Sequence, residues 1–175
     1  MVEVTFTPTA KDYVAVQRAM FAHQLRSRRF VGRMALLLGV VVLGIFLLLV
    51  TTGDPPLVAL LIAVGGAAGG AIGLAACIGI NRLMLPRRSR RLFMQQKTLL
   101  HEHRTIFDAT GFRQQSVRAD IVLPWGELLH WHLGREVLLL YGNDLLAYFI
   151  PRRVFDAGQL AQVEAILTGS ALPRR

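Results

Sequence analysis

Between residues 34 and 80 this chain has a single charged side chain, Asp54. On either side of it lie residues 34–50, MALLLGVVVLGIFLLLV, and residues 57–80, neither carrying a charge. Hydrocarbon about 30 Å thick requires roughly 17 to 25 apolar residues at ~1.5 Å each in a helix. Both runs are long enough, the first with residues 30–32 and Thr51 available to extend it. With 53% apolar and only 18% charged residues, the chain is not a soluble protein with one ordinary core. Cysteine is nearly absent: Cys77 stands alone, so no intramolecular disulfide forms, and its place in the second run suits a reducing cytoplasm. Lys and Arg are missing from the connection Thr51-Thr52-Gly53-Asp54-Pro55-Pro56. Its paired prolines cannot continue a helix, and Gly-Asp tolerates a tight reversal. No small-x-small site follows the first run, and a charge-rich stretch precedes it, so a cleaved signal peptide is not expected. The glycine-rich residues 65–73 hold neither G-x-G-x-x-G nor G-x-x-x-x-G-K, which sets a phosphate loop aside.

Acids are the scarcer charge, 11 Asp and Glu against 20 Lys and Arg, for a net charge of +9. Residues 1–33 hold six basic residues and two acids, residues 81–97 hold six and none, and residues 98–175 hold eight of each. The excess therefore flanks the apolar runs and leaves the last part neutral. A nucleic-acid footprint would put a basic stripe on the folded domain itself, so no nucleic-acid partner is expected. Arg26, Arg28, Arg29 and Arg33 precede the first run, and Arg82, Arg87, Arg88, Arg90 and Arg91 follow the second. Positive residues stay cytoplasmic, so both termini are expected inside, with Asp54 outside. Each basic residue beside an anionic leaflet contributes about 1 kcal/mol, and the cluster at 87–91 can hold the chain to headgroups.

Residues 2–6, Val-Glu-Val-Thr-Phe, alternate with the period of a strand that has one buried face. A helix over 10–29 follows, with Ala10, Val14, Phe21 and Leu25 at helical spacing and Thr9 with Asp12 as a capping-box pattern. It reads as a helix packed on the later domain that runs into the first span, in preference to one lying on lipid. In the second span Gly65, Gly69 and Gly73 recur every four residues, as do Gly66 and Gly70. Small residues at that spacing let another helix approach closely. The neighbour is the first span, through Gly32 and Gly39, or the same span of a second protomer. The strip is wide enough to predict a homo-oligomer. A short helix is expected over 92–100, then strands at 104–107, 112–117, 121–125, 137–141 and 145–150. Asp108-Ala109-Thr110-Gly111 and Gly142-Asn143-Asp144 are turns, and Ala119-Asp120 is a break. A last helix starts at Asp156 with Gln159 three residues on, faces inward through Leu160, Val163, Ile166 and Leu167, and ends at Gly169.

Phe107-Asp108-Ala109-Thr110-Gly111-Phe112, then Trp125 with Glu127 and Leu128, the strand Leu138-Leu139-Leu140-Tyr141, and Ile150-Pro151-Arg152-Arg153-Val154-Phe155 give the C-terminal part a recognisable order. In these pieces the chain resembles the YcxB-like family of small bacterial membrane proteins. The family's order of strand and helix, two spans, basic stretch and domain matches nearly the whole chain. The resemblance implies a pleckstrin-homology-like sheet closed by a C-terminal helix in a bacterial inner membrane. It carries over no catalytic residue and no ligand. The expected fold is thus α+β: a two-helix transmembrane hairpin with a small cytoplasmic pleckstrin-homology-like sheet domain. Residues 1–29 form a strand and helix packing with the C-terminal domain, 30–81 the hairpin, 82–100 a basic juxtamembrane segment, and 101–170 the YcxB-like domain.

Two H-x-H pairs, His101 with His103 and His130 with His132, are the candidate metal ligands. On strands i and i+2 share a face, so four imidazoles in the right register would suit zinc or copper. Glu102, Glu127, Glu136 and Asp144 show no paired-carboxylate pattern, and Ser116 and Ser170 sit in no nucleophile context. Trp125, Pro151 and Phe155 read as structural, while Arg152 and Arg153 are placed to meet phosphate or solvent. The expected function is a non-enzymatic, membrane-anchored interaction module binding a protein partner or anionic lipid headgroups, with no cofactor. Beside it stand a small transporter or channel subunit built from the glycine-rich spans, and a metal-dependent enzyme using the histidine pairs. No acid, Lys or Arg lies within either run, which argues against conduction by one chain.

Overall fold

The computed structural model describes residues 1–26, 28–144 and 146–174, leaving aside the side chains of Arg26, Arg28, Arg29 and Thr98. The chain is α+β, with strands β1 (Val2–Phe6), β2 (His103–Phe107), β3 (Gly111–Ser116), β4 (Ala119–Pro124), β5 (His130–Leu133), β6 (Val137–Tyr141) and β7 (Ala147–Pro151). Its helices are α1 (Ala10–Arg26), α2 (Arg28–Thr51), α3 (Pro56–Gln95) and α4 (Ala157–Gly169). Two compact units divide it: Met1–Ala19 with Pro86–Arg175, and Met20–Leu85.

The second unit holds α2 and α3 as far as Leu85; the two helices are long and apolar enough to cross a membrane, over Phe30–Thr51 and Pro56–Gln95. Leu36, Leu48 and Ile72 are among many large apolar side chains that face outward. The connection is shorter than the six-residue break expected, because Thr51 completes α2 and Pro56 opens α3. Proline suits a first helical position, where its missing N–H has no partner to lose. The hydroxyls of Thr51 and Thr52 donate to the Leu48 carbonyl at 2.8 and 3.2 Å, satisfying the helix end locally. Gly53 takes φ +98°, a conformation open to glycine at little cost. Further along, α3 passes through Pro86 without a break and ends at Gln95, short of the helix expected to continue over 92–100. Proline removes one intrahelical bond there, but a nucleated helix adds further turns cheaply. A short 3-10 turn, Lys97–Leu100, then leads into β2.

In the first unit, β1 to β4 form an antiparallel sheet in chain order and β5 to β7 a second one. The first strand reaches across the whole helical insertion to its partner: Val2 lies opposite Phe107 and Phe6 opposite His103. Alternation directs Val2, Val4, Phe6, Thr105, Phe107 and Phe112 inward. The outer face carries ion pairs instead, Glu3 with Arg104 and Arg113 with Asp120. The hydrogen bonds from Arg113 and Gln115 hold the Asp120 carboxyl down at about 2. Those bonds also hold residues 119–120 in the sheet, where a break was expected. Asp120 pairs with Gln115 inside the β3–β4 ladder, and the turn falls at Val117 and Arg118, not at Ala119-Asp120. Gly111 is required for close approach, since a Cβ there would collide with the Leu123 carbonyl oxygen.

The second sheet includes β5, a strand absent from the expected set, and its Trp131 is 1% exposed. Strand β6 is buried along its whole length. The expected strand 145–150 is β7, Ala147–Pro151, and Leu145 lies outside the described residues. Asp156 caps α4: its side chain accepts from the Gln159 N–H and Gln159 returns the bond. Val163 and Leu167 then enter the core completely, as the spacing predicts. Past the helix, Leu172 also joins the core, and the backbone carbonyls of Pro173 and Leu172 accept from Trp131 N and Nε1, at 3.0 and 3.1 Å. Residues 171–174 therefore pack with the sheet unit, beyond the boundary at 170.

Candidate functional site

Asp12 and Arg153 come from opposite ends of the chain and meet beside the first turn of α1. Thr9 caps that helix: Asp12 N donates to Thr9 Oγ1 at 3.3 Å, and Thr9 N donates back to Asp12 Oδ2 at 2.8 Å. The sequence pattern therefore forms as a reciprocal box, with Asp in the acidic position. The same carboxylate also accepts from the Thr9 hydroxyl at 2.8 Å and from Arg153 Nε and Nη2 at 3.1 and 2.7 Å. Arg153 reaches the Thr7 carbonyl as well, at 3.0 Å. Burial alone would raise the Asp12 carboxyl, and the bonds from Arg153 and Thr9 together outweigh it, holding the group below its ordinary value. Donating to the Asp12 carboxylate in turn raises the Arg153 guanidinium.

Around this pair opens a cleft of about 430 Å³ lined by Lys11, Asp12, Ala15, Arg135, Glu136, Arg152 and Arg153. Three separate segments supply it. The β5–β6 turn presents Arg135 and Glu136, closed by a Gly134 N–H to Val137 carbonyl bond of 2.8 Å. The turn after β7 presents Arg152 and Arg153, tied to the first by an Arg152 N–H to Glu136 carbonyl bond of 2.8 Å. Four cations thus face two carboxylates, one of which Arg153 already occupies. A smaller cavity of about 140 Å³ lies elsewhere in the unit, between Phe6, His103 and Gln114 on one side and Ala147, Tyr148 and Phe149 on the other.

The histidine pairs do not converge. His103 begins β2 in the first sheet, stacked 5.9 Å from Phe6, while His101 lies before the strand. His130 and His132 sit on β5 in the second sheet, His130 stacked 4.3 Å from a Tyr141 phenol that burial raises. Among the described residues no group of three or more His, Cys, Asp or Glu could hold a metal ion. The shared-face expectation required the two strands to pair with one another, and they belong to different sheets.

Trp125 is buried and donates through Nε1 to the Asp108 carbonyl at 3.1 Å. Asp108 in turn accepts from Thr110 N, Thr110 Oγ1 and Gly111 N, at 2.7, 2.6 and 2.9 Å. The motif at 107–112 with Trp125 is therefore one structural knot. Pro151 ends β7 buried, and Phe155 packs 6.1 Å from Phe107. Arg33, Arg82, Arg87, Arg88, Arg90 and Arg91 are exposed, whereas the side chains of Arg26, Arg28 and Arg29 lie outside the described residues. Ser89, within the arginine cluster, and Phe93, just past it, are buried one turn apart, Phe93 6.0 Å from Tyr13.

The glycines divide by face. Ala59 and Ala63 are fully buried, and a Cβ on Gly66 would meet Ile45 Cδ1 at 3.9 Å, so this face belongs to the hairpin interior. A Cβ on Gly65, Gly69, Gly70 or Gly73 would meet nothing within 4 Å, nor would one on Gly32 or Gly39. A contact through Gly32 and Gly39, one of the two alternatives for the glycine strip, is therefore not made within the chain; Ala59 and Ala63 fill the close-packed positions. Lys11 and Arg135 escaped sequence reading as site residues, since nothing local links three segments so far apart. No family model, curated protein or solved structure matches this chain.

Proposed function

We propose that this chain is a membrane-anchored interaction module without catalytic function, held by α2 and α3 with its sheet unit on the cytoplasmic side. A bacterial inner membrane and kinship with the YcxB-like family belong to the same reading. The pleckstrin-homology-like fold does too; it rests on the order of four strands, three strands and a closing helix. The observation that carries the proposal is the pairing of β1 with β2. Two strands of one sheet lie on one side of any bilayer, so the chain between them crosses an even number of times. Two helices long and apolar enough to cross lie between them, and no others do among the described residues. The basic flanks then set which side that is. A reporter active only outside the cytoplasm should work at Gly53 and fail at either terminus. Activity at the C-terminus would end the hairpin reading. The open faces of Gly65, Gly69 and Gly73 support self-association through α3 as an addition to it.

A further inference from the structure

We propose that the cleft beside Asp12 binds a phosphate monoester, with Lys11, Arg135 and Arg152 as its recognition groups. The inference deepens the reading of the sheet unit as a binding module and rests on it. What singles out this cleft is how the chain from β2 onward uses its arginines. Arg104 pairs with Glu3, Arg113 with Asp120, Arg153 with Asp12 and Arg174 with Glu164. Among the described residues from β2 onward, Arg118, Arg135 and Arg152 make no ion pair, and two of these three line one cleft together with Lys11.

Asp12 does not oppose an anion there. Its carboxylate is filled by donors from Thr9 and Arg153, and it is 8% exposed. The pair instead fixes one wall of the cleft, and the bond from Arg152 N to the Glu136 carbonyl fixes the two arginine-bearing turns against each other. Glu136 is exposed and leaves the three open cations in excess. Guanidinium forks match the paired oxygens of phosphate, and a lysine adds a point charge for the third oxygen. At about 430 Å³ the space takes the phosphate with the alcohol that carries it. A single carboxylate would use only one fork. A nucleic acid would need a basic track with stacking platforms, and the lining has no aromatic ring.

The test uses the full chain in nanodiscs of phosphatidylcholine, titrated calorimetrically with inorganic phosphate and then glycerol phosphate. Wild type should bind saturably. Arg135→Ala and Arg152→Ala should each weaken binding about tenfold, the loss expected for one charge-assisted contact. Arg118→Ala removes the same charge from an exposed turn and should leave binding unchanged. Discs containing phosphatidic acid separate the sources: loss of phosphate binding there assigns a lipid headgroup, and unchanged binding assigns a soluble monoester. Absence of saturable binding in every disc overturns the proposal, as does an Arg118→Ala effect equal to that of Arg152→Ala. Co-elution of chain and disc, read in the same preparation, reports anchoring whether or not the cleft binds.

Discussion

Asp12 offers a direct measure of what joins the two ends of the sequence. Asp12→Ala removes the acceptor for Thr9 N and for Arg153 Nε and Nη2. The capping share is about 1 kcal/mol. The Arg153 share, a charged hydrogen bond in full burial, is halved because that side chain is 51% exposed, leaving about 1 kcal/mol. The expected loss is therefore about 2 kcal/mol. Asp12→Asn keeps an oxygen for Thr9 and loses the charge, so it should cost about 1 kcal/mol, and a cycle with Arg153→Gln should show coupling of roughly 0.5 to 1 kcal/mol. Denaturant unfolding of the full chain in mild detergent can be followed by tryptophan fluorescence. Both tryptophans, Trp125 and Trp131, lie in the first unit, so the signal reports that unit alone. The pH dependence gives a second check. Because the folded carboxyl titrates below its ordinary 3.8, its contribution is complete above 3.8 and is lost as pH falls through the lower folded value. The gap between wild type and Asp12→Asn should close in that acid range. A gap that persists there, or zero coupling to Arg153, would refute the reasoning.

Three further outcomes are expected. Thr105 is fully buried, with no partner for its hydroxyl among the described residues, so Thr105→Val should stabilise the sheet unit by about 1 kcal/mol in the same unfolding assay. Ending the chain after Ser170 removes Leu172 from the core and two acceptors from Trp131, which should cost about 2 to 4 kcal/mol and shift tryptophan emission to the red. Unchanged emission would place the tail outside the core. Gly69→Ile meets open space within its own chain, so it should lower the oligomeric mass measured in detergent without unfolding the hairpin, and a wild-type monomer would dismiss self-association.

Signals confined to a few neighbouring residues were readable in advance. Thr9 with Asp12 and Asp156 with Gln159 form the expected boxes, and the Gly142-Asn143-Asp144 turn joins β6 to β7. The two apolar runs are readable because length alone identifies them. What escaped depends on distant partners. His130-Trp131-His132 has too little alternation to read as a strand, and only the ladder with β6 and the tail behind Trp131 make it one. Asp120 looked like a turn residue until Arg113 and Gln115 held it in a ladder. Glycine spacing suggested a packing face, yet which small residues turn inward depends on the partner helix, and those are Ala59 and Ala63. The cleft gathers α1 and two turns of the second sheet, a coincidence no linear pattern records.

The edge position of β1 has a consequence for the order of assembly. The strand leaves the ribosome well before its companion, with Val2, Val4 and Phe6 as its buried row: Glu3 and Arg104 are 101 residues apart. At about 5 to 20 residues per second that separation is roughly 5 to 20 s of synthesis. Through that interval the sticky edge has no template of its own. An unpaired strand edge is a template for pairing with other chains, so a nascent chain halted before β2 should aggregate more readily than the completed one.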